Sequence, residues 1–434
     1  MLKEKLKNEI LIFDGAMGTL LLNKPEIKGI KAEILNQSHP DLIIDIHKQY
    51  LLAGADIITT NTFGANPKKF TDPDSSIEVL IPLAIKNARE AIKQADKEAY
   101  VALDIGPLGE FLQPAGTLSF EEAYDLFKAQ ILAGKDEADL ILIETITDLY
   151  EAKAAILAAK ENSELPIIAM MTFNANGRSL TGCTPQTFAL LAQAMGVSAL
   201  GINCSLGPDL LAPMVDELLA NTQVPIILEP NAGLPVVKDG KTTYPLQAEE
   251  FATIMEKYVN QGVNIIGSCC GSSPDFTKKL AQLKNHPLIK KQGFIPPEDI
   301  SSPTDTLILA DSGVLVVSIV NGSNYQRMAE ALKNRDFGFV QDEAMELVDD
   351  NTQALHIDLR MMESDQLELL PQAVKALQEV VKLPMILESD DPVALDAACR
   401  IYNGKPLIVL TSENGASPKV ILSIAKKYGA TFFL

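Results

Sequence analysis

Short apolar runs alternate with longer amphipathic segments from the first residues onward. ILIFD (10–14) has the length and unbroken apolar character of a buried strand. HPDLIIDIHKQYLLAGA (39–55) has the spacing of a helix that stops near Gly54. Further strands are predicted at DIITT (56–60), AYVALDI (99–105), DLILIE (139–144), PIIAMMTF (166–173), ALGINC (199–204), VPIILE (224–229) and NIIGS (264–268). Helices are predicted between them: near 76–97, over SFEEAYDLFKAQILAG with a capping box at Ser119 and Glu122, up to about Lys160, and near 274–285. Near-continuous apolar strands alternating with helices indicate a parallel sheet covered on both faces. Eight such units in about 285 residues predict an α/β fold of the (β/α)8 TIM-barrel type. A doubly wound sheet is the alternative, and it usually has fewer units.

The pattern breaks at 287–306, which carries four prolines and small polar residues and is expected to be a linker. Alternation then resumes with VLVVSIV (314–320), ALHIDL (354–359), PMILES (384–389), PLIVLT (406–411) and ATFFL (430–434). Helices are expected near 324–335, 340–349, 366–381, 391–401 and 417–428. Five strands are too few for a second barrel. The expected organisation is therefore a barrel over 1–286, the linker, and a second, incomplete or degenerate β/α module over 307–434. An apolar parallel strand with nothing to cover it is unprotected, so a fragment of a longer protein is expected.

Composition removes several function classes. Lys plus Arg total 37 against 57 Asp plus Glu, a net charge of −20. That balance argues against nucleic acid, whose phosphates need a basic surface, and against anionic membranes. There is no apolar run of 18 residues and no signal peptide at the start, so a cytoplasmic protein is expected. Five cysteines are neither dense enough nor even in number for a disulfide scaffold.

The active face of such a barrel lies where strands end and the following loops begin. Polar residues fall there: Asp14 before GAMGT, NTFGAN (61–66), Asp104, Glu144, Thr172, Asn203-Cys204, Glu229-Pro230-Asn231 and Ser268-Cys269-Cys270-Gly271. The sixth and eighth strands are separated by one neighbour, so their ends lie about 10 Å apart at ~4.8 Å spacing. Inward-leaning Cys204, Cys269 and Cys270 can close that gap around one metal. Three thiolates with one open position is the arrangement of a catalytic zinc site, and it suggests alkylation of a thiol substrate. The same cysteines also fit small core residues, and Cys269-Cys270 fits a vicinal disulfide; spacing alone leaves these readings open. Cys183 and Cys399 fit ordinary buried or loop positions. GAMG is not a nucleotide-binding glycine pattern, and the four histidines (His39, His47, His286, His356) form no metal pair or triad.

FDGAMGTLL (13–21), NTFGAN (61–66), GINCSLGP (201–208), EPNAGLP (229–235) and GSCCG (267–271) stand in order at the strand ends. With them the chain resembles the homocysteine S-methyltransferase family over about residues 5–285, and within it the homocysteine-binding barrel of cobalamin-dependent methionine synthases. The resemblance implies that Cys204, Cys269 and Cys270 bind Zn2+. It implies that homocysteine sulfur takes the fourth position, displacing a neutral oxygen donor that matches Asn231. Asp14 and Glu144 match the carboxylates that hold the homocysteine amino group. Backbone amides at Gly15-Ala16 and in the 104–107 loop are expected at its carboxylate. The implied product is methionine. The implied donor is methylcobalamin on a corrinoid protein or on missing C-terminal domains, with a methyl-sulfonium or betaine as alternatives. A non-catalytic zinc-binding or corrinoid-docking subunit is the rival reading.

The second module resembles, more weakly, the start of a pterin-binding barrel. Asp358 and Glu388-Ser389-Asp390 match acidic positions at its second and third strands. SIVNGSN (318–324) replaces the family's opening Glu-Arg run, and LTSEN (410–414) its Asn-Ser. These departures favour a degenerate or truncated module acting as a scaffold.

Overall fold

The computed structural model describes residues 2–22, 24–238, 241–289, 299–310, 313–411 and 418–433. Its first seven strands are β1 (Leu11–Ile12), β2 (Ile57–Thr59), β3 (Tyr100–Ile105), β4 (Leu140–Ile146), β5 (Ile167–Met171), β6 (Ala199–Asn203) and β7 (Ile226–Glu229). A small hairpin, β8 (Val236–Lys238) and β9 (Lys241–Thr243), follows, and then β10 (Ile265–Ile266). Eight of these form one parallel sheet in the order β1-β10-β7-β6-β5-β4-β3-β2. A parallel bridge between Phe13 and Ile57 joins its two ends, so the sheet closes into the expected TIM barrel.

Alternate residues of the strands face inward and fill the barrel. Leu11, Phe13, Leu140, Leu142, Ile168, Met170, Ile227 and Ile265 form one buried cluster. Leu2 and Leu6 of the helix Leu2–Asn8 join it. The lysines of that segment hid a two-residue apolar face from the sequence reading. The predicted capping box is present: Ser119 accepts from the Glu122 amide, and the Glu122 carboxylate accepts from the Ser119 amide. The helix Pro40–Ala53 ends as expected at Gly54, whose φ of 110° suits glycine.

A second compact unit comprises the described residues of 182–196 and 296–434. Its strands are β11 (Ile300–Ser301), β12 (Thr306–Leu307), β13 (Val316–Ser318), β14 (Ala354–Asp358), β15 (Met385–Ser389), β16 (Leu407–Leu410) and β17 (Thr431–Phe433). The last five form a parallel sheet in strictly sequential order. Right-handed crossovers in one direction place the helices on one face, which is the winding of a barrel rather than of a doubly wound sheet. β11 and β12 pair antiparallel, and Ile300 and Leu307 pack on Ala354, Ile386 and Leu407 at the strands' starting ends. The Tyr402 hydroxyl donates to the Ser301 carbonyl at 3.0 Å and ties this hairpin down. Of the segment expected as a linker, 290–298 lies outside the described residues, while 300–306 carries this structured pair. Among the described residues no helix is long and apolar enough to cross a membrane.

Candidate active site

The thiols meet at the carboxyl ends of β6 and β10. Cys204 and Ser205 have φ of 58° and 60°, a left-handed turn of two non-glycine residues directly after β6. Such geometry is costly and persists where surrounding bonds hold it. The Cys204 amide donates to the Glu229 carbonyl at 3.0 Å, and the Cys269 amide donates to the Pro230 carbonyl at 2.8 Å. The Cys270 amide donates to Asn231 Oδ1 at 3.1 Å. The three Sγ atoms lie within 4.8 Å of one another, with Cys204 and Cys270 4.0 Å apart. All five cysteines are free thiols, and the buried Cys183 and Cys399 stand outside this cluster. The structure thus shows a converging set of three free thiols.

The donor set suits a tetrahedral ion. Metal–sulfur bonds of about 2.3 Å place sulfurs about 3.8 Å apart. Charge points the same way. Hydrogen bonds with the Cys204 and Cys269 thiols, joined by the Tyr244 hydroxyl, pull Cys270 down to about 3. Hydrogen bonds with its two neighbours, and burial, push Cys269 well up. For Cys204 a hydrogen bond with Cys269 lowers its pKa, but that with Cys270 and burial outweigh it and raise the thiol to about 11. A divalent cation is what allows all three to ionise.

Beside the thiols stand four acids: Asp14 after β1, Asp104 in β3, Glu144 in β4 and Glu229 in β7. Burial raises every one, Asp14 and Glu144 to about 7 and Asp104 and Glu229 well above the usual carboxylate range. Their mutual repulsion adds to the effect; Glu144 acts on the other three. Asp104 Oδ1, Glu229 Oε1 and Ser268 Oγ are buried without a hydrogen-bond partner. Buried polar atoms without partners are costly, and this set asks for a cationic, hydrogen-bonding ligand.

Individual positions are held tightly. Both Asp14 oxygens accept from Thr59, one from its amide and one from its hydroxyl, each at 2.9 Å. A Cβ on Gly15 would stand 2.8 Å from Ser272 Oγ and 3.1 Å from Ser268 Oγ, so only glycine admits this close approach. The Ala16 amide donates to Ser272 Oγ at 3.1 Å. Gly271, at φ 82°, lies against the Tyr244 ring, which a Cβ there would strike.

Three residues of the site carried no role in the sequence reading. Tyr244 follows the β8–β9 hairpin and reaches Cys270. Thr145 sits at φ 60° where the register of β4 against β5 shifts. Asn203 links Thr145 to Glu144. Asn203 was legible as a strand-end polar residue within GINC; nothing in the sequence marked Tyr244.

In the second unit the positions that match pterin-barrel acids are tied to one another. Arg360 pairs with Asp358 at 2.7 Å and Glu388 at 2.9 Å and donates to Thr411 at 3.0 Å. His356 lies 2.8 Å from Glu388, and Gln366 bonds both Asp390 and Ser389 at 2.7 Å.

A closed (β/α)8 barrel with three converging thiols and four acids at its mouth defines a barrel protein with a three-cysteine cluster that could hold a metal ion. Its place among such proteins is specific: the chain belongs to the homocysteine S-methyltransferase family, whose sequence profile matches residues 11–283. It is 28% identical over 439 residues to a methionine synthase of Mycobacterium tuberculosis (strain ATCC 25618 / H37Rv) and 26% identical over 444 residues to that of Mycobacterium leprae (strain TN). Each alignment covers 96% of this chain and 37% of the relative, so the chain spans little more than a third of these proteins. Among solved structures it is similar to the oxidized form of the homocysteine methyltransferase MmuM from Escherichia coli. That match has 25% identity and a TM-score of 0.52, and covers 64% of this chain and 96% of that one. The metallated form of the same protein, at 22% identity and a TM-score of 0.53, shares the fold.

Proposed function

We propose that this chain binds homocysteine at the barrel mouth and presents its sulfur for methylation, giving methionine. The observation that carries this reading is the juxtaposition of three thiols with four acids, three of them buried, in one mouth. A thiol ligand that also bears an ammonium group satisfies both halves. Zn2+ held by Cys204, Cys269 and Cys270 would supply the charge that keeps a substrate thiol ionised at neutral pH. Asp14 and Glu144 receive the ammonium group, where a charge-assisted hydrogen bond lowers their pKa back toward the ordinary range. Asn231 Oδ1 accepts from Cys270 and keeps its second lone pair for a neutral contact at the thiol centre. The loops at Gly15-Ala16 and 104–107 face the carboxylate end, although the Ala16 amide already serves Ser272.

The methyl donor on this reading is methylcobalamin, carried by a corrinoid domain or partner. Exposed Phe63, Phe111, Leu180 and Leu234 stand on the loops after β2, β3, β5 and β7, with exposed Val237 on β8, and suit approach by a macromolecule. The second unit acts as a scaffold, because Arg360 occupies the acids that a pterin would need.

The test uses the full chain loaded with Co2+, whose thiolate charge-transfer band reports sulfur ligation. Homocysteine should intensify the band, and Cys270→Ser should abolish both the band and the response. A band that homocysteine leaves unchanged would sink the methyl-acceptor reading. Supplying a methylated corrinoid protein, a methyl-sulfonium or betaine in turn identifies the donor by methionine formed.

A further inference from the structure

The amide of Asn203 reaches over one strand at the barrel mouth. β6 and β4 are not neighbours; β5 runs between them. Asn203 Nδ2 nevertheless donates to Glu144 Oε2 at 2.6 Å and to Thr145 Oγ1 at 2.8 Å. Its Oδ1 accepts from the Thr145 amide at 2.9 Å. Both hydrogens and the carbonyl oxygen are thus used. The orientation is fixed, since a flipped amide would set its oxygen against the carboxylate. The backbone is anchored as well: Thr172, next to β5, donates its hydroxyl to the Asn203 carbonyl at 3.0 Å.

These bonds act where the backbone is strained. Thr145 at φ 60° lies at the register shift of β4, and such an irregularity re-aims the neighbouring side chain. The neighbour is Glu144. On the other side, Asn203 directly precedes Cys204, itself at φ 58°. One buried amide therefore sets the direction of a pocket carboxylate and abuts the turn that presents a thiol.

We infer that Asn203 is a positioning residue that aims Glu144 at the substrate ammonium group and so gives the site its preference for an amino-acid thiol over a plain thiol. This rests on the reading of Glu144 as an ammonium partner. Without the Asn203 amide, Glu144 is free to turn toward Asp104, its other hydrogen-bond partner. Thiol ligation at Cys204, Cys269 and Cys270 needs no contribution from the Asn203 side chain. Loss of the amide should thus separate the two halves of recognition.

The test compares homocysteine with 4-mercaptobutanoate, the same thiol acid without its amino group, on the Co2+-loaded full chain. Wild type should favour homocysteine by about tenfold or more, the worth of a charge-assisted hydrogen bond. Asn203→Ala should lower homocysteine affinity by about fivefold or more and leave 4-mercaptobutanoate within about twofold. In a Glu144→Gln background the same substitution should add less than about twofold, because both changes remove one interaction. Equal weakening of both ligands, full additivity, or loss of Co2+ binding would overturn the inference. Should the alanine variant melt early, Asn203→Ser carries the same cycle. A Glu144→Gln variant with unchanged homocysteine affinity would instead refute the ammonium assignment itself.

Discussion

The sulfur atoms of Cys204 and Cys270 lie 4.0 Å apart although 66 residues separate them in the chain. They meet because β7 alone intervenes between β6 and β10, and because both following turns bend inward. A left-handed turn serves Cys204, and Gly271 at φ 82° follows Cys270.

Metal content should follow this geometry. Purified chain is expected to hold one Zn2+, and Cys204→Ser, Cys269→Ser or Cys270→Ser should each abolish tight binding. Chelation should lower the melting temperature, since an ion bound only by the folded state stabilises it. Elemental analysis with thermal melting checks this. A cysteine variant that retains stoichiometric zinc would remove that residue from the ligand set.

Asp14 and Glu144 predict an unusual pH response of the metal-free protein. Asp14 and Glu144 rise from ordinary carboxylate values near 4 to about 7. Between these limits the unfolded chain loses protons that the folded chain keeps. The stability these groups permit is therefore fully present below about pH 4 and is lost as pH rises through 7. Melting scans at pH 5 and pH 8 should show the decline, and Glu144→Gln should flatten it. Homocysteine affinity should move oppositely, strengthening toward pH 7 by up to about tenfold per pH unit for each proton released. Calorimetric titration in buffers of different ionisation enthalpy counts that proton.

Gly271→Ala should disturb Tyr244 rather than the thiols directly. The added Cβ meets the Tyr244 ring, and the backbone lies in a region that alanine disfavours. A destabilisation of about 1–2 kcal/mol is expected from the backbone alone. The Co2+ charge-transfer band should shift as the hydroxyl leaves Cys270, and Tyr244→Phe should shift it similarly without the loss of stability. Identical spectra for all three proteins would place Tyr244 outside the thiol environment.

Much of this was legible before any coordinates. Apolar runs ending in Asp14, Glu144, Asn203 and Glu229 marked eight strands and their functional ends, because parallel strands buried on both faces leave polar residues only where the chain emerges. The cysteines were legible because GINC and GSCCG fall on strands one neighbour apart. The left-handed conformation of Thr145 was not, since threonine rarely adopts it and bonds reaching over β5 from Asn203 hold it there. Tyr244 was hidden for a related reason: its approach to Cys270 depends on where the short β8–β9 pair leaves the chain, which no local residue pattern announces. The helix Met17–Leu22 was concealed by Gly18, a poor helix former that reads as a turn.

The closing seam of the barrel has a dynamic consequence. β1 is two residues long, and it meets β2 through the single bridge at Phe13 and Ile57. Two acids reinforce that bridge: the Asp56 amide donates to the Ile12 carbonyl and its carboxylate accepts from the Ile12 amide, while the Asp14 amide donates to the Ile57 carbonyl and its carboxylate takes both Thr59 donors. This short join in the cylinder is thus fastened in part by a carboxylate of the barrel mouth. On the proposed reading fastening and recognition share one carboxylate, so occupancy of the pocket should be written into hydrogen–deuterium exchange at the Thr59 amide, two strands from the turn that carries Cys269 and Cys270.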